Sequence, residues 1–422
     1  MTKKKGVIED QSKSTNMKLN RILYIILVLI LFTSCKSKLI YQSIDFENNY
    51  KFNSEIQEEL VKDTVAWKYQ ISAGEYAING DYKNALEQWD VAFLGSAKTL
   101  SQKQIDSIIA KYKIVPAINY IVERAKSNQV VIINEAHYNS SHRAFTEKLL
   151  QKLYEIGYTN LGLEALTNGE NVDSLLNKRG YPIQESGYYT KDPKFGNLVR
   201  TALKNGYTVF PYERTSTSNG KEREIEQAEN IKSIIDKNPN EKYIIHCGFG
   251  HVLEGDVQNW EKAMAGRLYE FTGINPLTIN QTKYSERSKS ELNNPLLEVL
   301  NLSEASVLLD ENGKPLKYTK EESYTDIAVF HPITNYLNDR PNWLFDSDNK
   351  EIKIDLKDVN ISFPVMVLAY FKDEDTTKAV PTDIIEIQNK NALGHLALKS
   401  GTYVIVVTNK MRRSLKFELK VK

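Results

Sequence analysis

The sequence predicts an α/β protein: a three-layer α/β sheet domain with an N-terminal helical hairpin and a small C-terminal β-sandwich. Three observations predict it. Between about 111 and 280, β-branched runs alternate with amphipathic helical stretches. One of those runs, Val130-Val131-Ile132-Ile133, has no polar face, as a strand buried on both sides requires. Beyond about 335, short strand-like segments follow one another, separated by turn residues and without a convincing helix. A length of 422 residues suits two or three domains, and 41% hydrophobic with 26% charged residues suits a globular core.

The first stretch, 1–35, reads as an export signal. Lys3, Lys4, Lys5, Lys18 and Arg21 supply a positive region, and Ile22 to Phe32 is apolar. That apolar stretch is shorter than the roughly 20 residues of a membrane span. An uncleaved signal anchor is the competing reading, and Met17 is an alternative start. Phe32-Thr33-Ser34-Cys35 resembles the lipobox of bacterial lipoproteins. The resemblance implies an acylated Cys35 that partners the lipid bilayer, in the cell envelope, on either face of the outer membrane. Cys247 is then the one cysteine left, so the folded part contains no disulfide.

Residues 36–55 are polar, with few periodic apolar positions, and read as a tether. The segment 56–110 is expected to form a helical cap. Trp67, Ile71 and Ile78 recur at helical spacing before Asn79-Gly80-Asp81, and Tyr82, Leu86, Trp89 and Phe93 recur after it. Gly80-Asp81-Tyr82 with Ala85-Leu86 resembles the junction of a tetratricopeptide hairpin. There is no second copy, so a cap fits better than a repeat array.

The main domain is expected over 111–335. After the strand 130–133 comes a helix from Ser141 to Ile156, with Phe145, Leu149 and Leu153 on one face. Strands follow at Asn160 to Leu163, Tyr207 to Phe210 and Tyr243 to Ile245. Between them and after them lie helices at Asn197 to Lys204, Lys221 to Lys237 and Trp260 to Phe271. In 336–422, strands are expected at 352–356, 364–371, 384–388, 403–407 and 415–421. Tyr370 and Arg412 are spare side chains there, and an accessory or packing role is expected for the module.

Chemistry concentrates where the four central strands end. The first ends in Asn134-Glu135-Ala136-His137, the second in Glu164, the third in Glu213-Arg214, and the fourth in His246-Cys247-Gly248-Phe249-Gly250-His251. In open α/β sheets, ligands bind beyond the strand carboxyl ends. Parallel neighbouring strands would bring these groups to one pocket. Glu135 and His137, two apart in extended backbone, point the same way. Arg214 and Arg223 are potential partners of Glu164, His142 lies on the polar side of its helix start, and His246, His331 and His395 read as structural. A net charge of +1 gives no footing for a nucleic-acid partner.

Asn134-Glu135-Ala136-His137 with Asn139-Ser140-Ser141-His142 resembles the first motif of the Tiki/ChaN/erythromycin-esterase superfamily. Glu164 in Gly162-Leu163-Glu164-Ala165 is similar to that superfamily's second acidic position, and Gly248-Phe249-Gly250-His251 to its second histidine motif. Thr272 to Ile279 resembles its closing strand. The sequence departs from the pattern at Asn134, where glycine is usual. Within the superfamily activity varies: metal-dependent peptidase, ester hydrolase or haem binding.

Two functions of different class follow. In the first, the chain is a membrane-anchored hydrolase of ester or amide bonds, acting on a small-molecule or peptide substrate. Glu135, His137, Glu164 and His251 are its catalytic candidates, and Glu213, Arg214, Arg223 and His142 its substrate-binding candidates. Glu135, His137 and His251 are the candidate ligands for a divalent zinc, manganese or cobalt ion. In the second, the chain binds haem, with Tyr138 or Tyr212 as candidate axial ligands. A degenerate, non-catalytic scaffold is the third alternative.

Overall fold

The computed structural model describes residues 40–93, 100–346 and 348–422. The export signal, Cys35 and residues 36–39 lie outside them. From Gln42 onward the expected tether is instead part of the fold. Strand β1 (Gln42–Ile44) pairs antiparallel with the last strand of the chain, Gln42 opposite Lys416. Phe46, Tyr50 and Phe52 are buried against Met366, Leu368 and Tyr370. These aromatics dock on another sheet rather than along one face of a local element, so periodicity does not reveal them. The same contacts make Tyr370 a packing residue.

Helices Asn53–Lys62, Lys68–Ile78 and Tyr82–Ala92 form the cap. The last two are the expected hairpin. Gly80 at φ +83° turns the chain, and Asp81 caps the second helix by accepting from Asn84 N at 3.1 Å. A Cβ on Gly80 would lie 2.5 Å from the Ile384 carbonyl oxygen, so glycine also permits the hairpin to touch the C-terminal sheet.

The central sheet has eight strands: β2 (Lys113–Pro116), β3 (Val130–Glu135), β4 (Tyr158–Leu163), β5 (Thr208–Pro211), β6 (Lys242–Gly248), β7 (Leu277–Tyr284), β8 (Ser306–Leu309) and β9 (Ile327–Phe330). Their order is β2-β8-β9-β7-β3-β6-β4-β5. Every pairing from β9 to β5 is parallel, and β2 and β8 join antiparallel. Side chains of β3 alternate between layers, as a two-residue period dictates. Val131 and Ile133 face Leu149, Leu153, Leu198 and Val199 on one side. Val130 and Ile132 face Ala228, Ile231, Met264 and Leu268 on the other. That is the expected three-layer arrangement.

In the main domain the expected closing strand and one helix differ from expectation. The strand expected to close the sheet is β7, which lies inside it between β3 and β9. The short strands β8 and β9 come later in the chain and extend the sheet past it. The helix expected from Trp260 starts at Met264, because Asn259 and Glu261 take positive φ values of 68° and 61° that a helix cannot accommodate.

At the C-terminus, β10 (Lys350–Ile354), β11 (Val365–Phe371), β12 (Asp383–Ile387), β13 (Gly394–Leu398), β14 (Gly401–Asn409) and β15 (Ser414–Val421) form two antiparallel sheets, ordered β1-β15-β14-β11-β12 and β10-β13. Strand β13, which carries His395, has no counterpart in the sequence reading. Among the described residues no helix is long and apolar enough to cross a membrane.

Candidate active site

The register of the central sheet sets the site. Glu135 at the end of β3 stands opposite Gly248 of β6, and Leu163 of β4 stands opposite His246. Strands separated in sequence thus end side by side, and Glu135, His137, Glu164 and the Gly248–His251 segment meet along one rim.

The first half of the rim is a carboxylate–imidazole pair. Glu135 Oε1 lies 2.8 Å from His137 Nδ1. Arg143, on the helix Ser141–Glu155, donates Nε to Glu135 Oε2 at 2.6 Å and Nη2 to Oε1 at 2.8 Å. It also donates Nη2 to the His137 carbonyl at 2.9 Å and Nη1 to Asp192 Oδ2 at 2.5 Å. Burial alone would raise the Glu135 carboxyl, but Arg143 and then His137 outweigh it and hold it well below the usual range. An ionised, fully buried carboxylate therefore fixes Nδ1 of His137. The His137 side chain keeps 19% exposure, and its Nε2 makes no hydrogen bond among the described residues. Its ring is stacked on Tyr189, with centroids 3.9 Å apart, and meets the edge of Phe249.

Gly248 makes room for that ring. A Cβ there would stand 2.5 Å from His137 Cε1 and Nε2, and 3.3 Å from Glu164 Oε2. His137 and Glu164 therefore share the bare face of one glycine.

The second half of the rim is a second pair. His251 Nδ1 lies 2.8 Å from Glu224 Oε2, on the helix Lys221–Ile235. Its Nε2 lies 3.0 Å from Arg223 Nη1 and 3.5 Å from Glu164 Oε1. Donating Nδ1–H to Glu224 and accepting from Arg223 at Nε2 satisfies both ring nitrogens. Burial disfavours the His251 cation, but Glu164 and Glu224 outweigh burial and raise it. Trp260 stacks parallel to the ring. Glu164 Oε1 receives Arg223 Nη2 at 2.6 Å, and Oε2 receives the Gly248 amide. Burial would raise this carboxyl; His251, His137, Arg223 and the Gly248 amide bring it down to about 2. Arg223 also donates Nε to Glu213 Oε1 at 2.9 Å and Nη2 to Oε2 at 2.5 Å.

Not every sequence candidate joins this rim in an available form. Arg214 turns outward, donating to the Ser216 carbonyl at 3.1 Å. With Glu213 and Arg223 it lines an open cavity of about 370 Å³. His142 is fully buried and saturated, which corrects its expected substrate-binding role. Its Nδ1 accepts from Ala136 N at 3.0 Å and its Nε2 pairs with Ser285 Oγ at 2.6 Å. The polar helix start expected to expose it is covered by the 285 segment. His246 is buried, its Nε2 without a hydrogen-bond partner among the described residues and 3.8 Å from Glu135 Oε2, and burial pushes it down to about 4.

Glu135, His137 and His251, the expected metal ligands, stand along the rim with partners of their own. Both Glu135 oxygens serve Arg143 and His137, both His251 nitrogens are engaged, and no group of three or more His, Cys, Asp or Glu among the described residues is placed to hold a metal ion. Of the candidate haem ligands, Tyr138 is buried in a stack with Trp89. Tyr212 is fully buried and donates to the His246 carbonyl at 2.8 Å. Cys247 is buried, and burial raises its thiol well above the ordinary range.

The sequence reading missed Arg143, Asp192, Glu224, Tyr189 and Trp260. Asp192 was findable: Asp192-Pro193 is a helix-start signature, and its carboxylate caps Lys194 N at 2.6 Å.

No family model matches the chain, and no curated protein matches it in sequence. Among solved structures it is similar to the type III effector HopBA1, at 13% identity and TM-score 0.34 over 52% of this chain and 97% of that one. It is similar to RRSP, a MARTX toxin effector domain from Vibrio vulnificus, at 14% and 0.30 over 57% and 48%. It is also similar to the C-terminal region of Pasteurella multocida toxin, described as having a thiol-protease-like catalytic triad, at 8% and 0.30 over 81% and 52%. The chain thus spans about half the length of the last two. Likenesses this remote assign neither family nor chemistry to it.

Proposed function

We propose that the chain is a hydrolase of ester or amide bonds whose general base is His137, held at a membrane of the cell envelope through acylated Cys35. One observation carries the reading: a partly exposed imidazole has Nδ1 fixed by an ionised buried carboxylate, leaving Nε2 without a partner among the described residues. Nε2 takes the proton of a water whose oxygen attacks the carbonyl carbon, and returns that proton to the leaving alcohol or amine as the ester or amide bond breaks. The developing imidazolium is stabilised through Nδ1–H by Glu135, which Arg143 keeps charged and in place. Tyr189 and Phe249 hold the ring plane. Glu164 and Arg223 lie next along the rim, and Arg214 stands at the open cavity beyond, where an anionic part of the substrate is received. The resemblance to the Tiki/ChaN/erythromycin-esterase superfamily supports the same reading.

The test is turnover of p-nitrophenyl esters and of a quenched fluorescent peptide mixture by the wild type and His137→Ala. The variant should lose about 10²–10⁴-fold in kcat, the usual scale of a positioned base. Equal turnover in both proteins would remove His137 from the reaction. A chelator arm tests the metal expectation independently.

A further inference from the structure

The turn that presents His137 has a second side. Asn139, Phe145, Lys148, Glu286, His331 and Trp343 help line a cavity of about 110 Å³. Such a space holds about three or four waters at roughly 30 Å³ each, or one small molecule. Two buried polar atoms of these residues have no hydrogen-bond partner among the described residues: Asn139 Nδ2 and His331 Nε2, on side chains of residues 6% and 7% exposed. The Asn139 amide orientation is fixed, because its Oδ1 accepts from Ser141 N at 3.2 Å and Ser141 Oγ at 2.6 Å. Its Nδ2 is therefore a donor in need of an acceptor. His331 is neutral, pushed down to about 3 by burial, and packs beside His142 and Phe145.

The cavity also has charged walls. The Glu286 carboxylate accepts Thr334 N at 2.8 Å and the Thr334 hydroxyl. No cation acts on it among the described residues; burial, the largest influence, raises its carboxyl. Lys148 stands on the same cavity with Nζ 3.3 Å from Asp346 Oδ2. One wall therefore offers a Glu286 carboxylate held, among the described residues, only by Thr334, and others offer an unfilled amide donor and a lysine shared with Asp346, with Glu304 a further carboxylate on the lining. A buried donor such as Asn139 Nδ2 is costly to leave unpaired.

We propose that this cavity binds a small zwitterion bearing an ammonium and a carboxylate on one carbon, the chemistry of glycine or alanine. The ammonium pairs with Glu286 and faces the His331 imidazole. The carboxylate accepts from Asn139 Nδ2 and faces Lys148. Phe145 and Trp343 supply the apolar surface beside the α-carbon. The volume admits a hydrogen or methyl side chain and excludes an aromatic one. The site shares no side chain with the His137 rim and does not depend on the hydrolase reading.

Thermal unfolding and calorimetry of the whole chain test this with glycine and L-alanine as probes, against acetate, methylamine and L-tryptophan. The two small amino acids should raise Tm saturably and the other three should not. Glu286→Gln, and Ala144→Leu, which fills the same cavity, should each weaken the apparent Kd about tenfold or more, while unfolding like the wild type without ligand. No saturable shift with either amino acid, an equal response to methylamine, or unchanged affinity in both variants would overturn the assignment.

Discussion

The two halves of the rim share an imidazole–carboxylate pair and differ in where the neighbouring arginine goes. Each has an imidazole whose Nδ1 lies 2.8 Å from a buried carboxylate, Glu135 for His137 and Glu224 for His251. For His137 the guanidinium, Arg143, binds the carboxylate and stays behind it. For His251 the guanidinium, Arg223, binds Glu164 and Glu213 instead of Glu224 and reaches across to the imidazole, its Nη1 3.0 Å from Nε2. The first arrangement leaves a basic lone pair for an outside molecule, whereas the second consumes it. The placement of the arginine, more than the imidazole–carboxylate pair, decides which histidine can act as a base.

The largest effect that separates the halves is kinetic. His137→Ala should cost about 10²–10⁴-fold in kcat, whereas His251→Gln should cost much less, since its Nε2 faces Arg223 rather than substrate. Comparable losses in both variants would break the comparison, because they would make the two pairs equal partners in the chemistry.

Next is the cost of removing each arginine. The Arg143 side chain is 0% exposed and serves Glu135 and Asp192, whose side chains are 2% and 0% exposed. Arg143→Met strands two buried carboxylates and should destabilise by about 3–5 kcal/mol. Arg223 is 27% exposed and serves the buried Glu164 as well as Glu213, but Glu164 keeps the Gly248 amide and His251 beside it, so Arg223→Met should cost less, about 1–3 kcal/mol. Chemical denaturation of the two variants reads the difference directly, and equal costs would show that burial does not distinguish the clamps.

A third test uses His246, which lies under the first pair and is held neutral. Its folded pKa of about 4 is below its ordinary 6.5. Between those values the unfolded chain binds more protons, so this contribution to stability is present above pH 6.5 and lost as pH falls to 4. A shift of that size corresponds to about 3 kcal/mol at full protonation. His251 has the opposite sign: raised by Glu164 and Glu224, its contribution is present below pH 6.5 and lost as pH rises through its folded value. His246→Leu should therefore lose less stability than the wild type between pH 6.5 and 4, followed by Tm. Parallel curves would show that His246 is not held neutral.

Gly248→Ala comes next, at about 1–3 kcal/mol for forcing a methyl into packed space. Its methyl would lie 2.5 Å from two His137 ring atoms. The hydrolysis rate should fall together with stability, and the His251–Glu224 pair should be unaffected.

The backbone of this comparison was legible in the sequence, and its decisive contacts were not. The apolar runs at 130–133, 160–163 and 243–245 end in polar residues, and a parallel sheet converts those ends into one rim. Glu135, His137, Glu164 and His251 could be named on that ground alone. Arg143 was hidden because its helix reads as amphipathic through Phe145, Leu149 and Leu153, and nothing local marks a fully buried cation on another face. Tyr189 lies in the run of short turns between Gly169 and Lys191, where there is no period to read. Glu224 is one of several glutamates on a charged helix. Only the packing of that helix against the segment after β6 shows which one is buried.

Tyr189 gives the smallest and most selective test. It covers the His137 ring at 3.9 Å and is itself half-buried, with burial pushing its phenol up to about 12. No hydrogen bond from its hydroxyl is found among the described residues, so its contribution to the first pair is the ring face. Tyr189→Phe keeps that face and should leave turnover near the wild-type level. Tyr189→Leu removes the stacking, worth about 0.5–1.5 kcal/mol, and should slow kcat by roughly the corresponding two- to tenfold. Trp260 covers His251 with its centroid 5.6 Å away, and Trp260→Leu should leave kcat unchanged if the second imidazole makes no contact with substrate. A drop in both leucine variants would mean that the two rings are held for the same purpose, and that Arg223 leaves His251 during turnover.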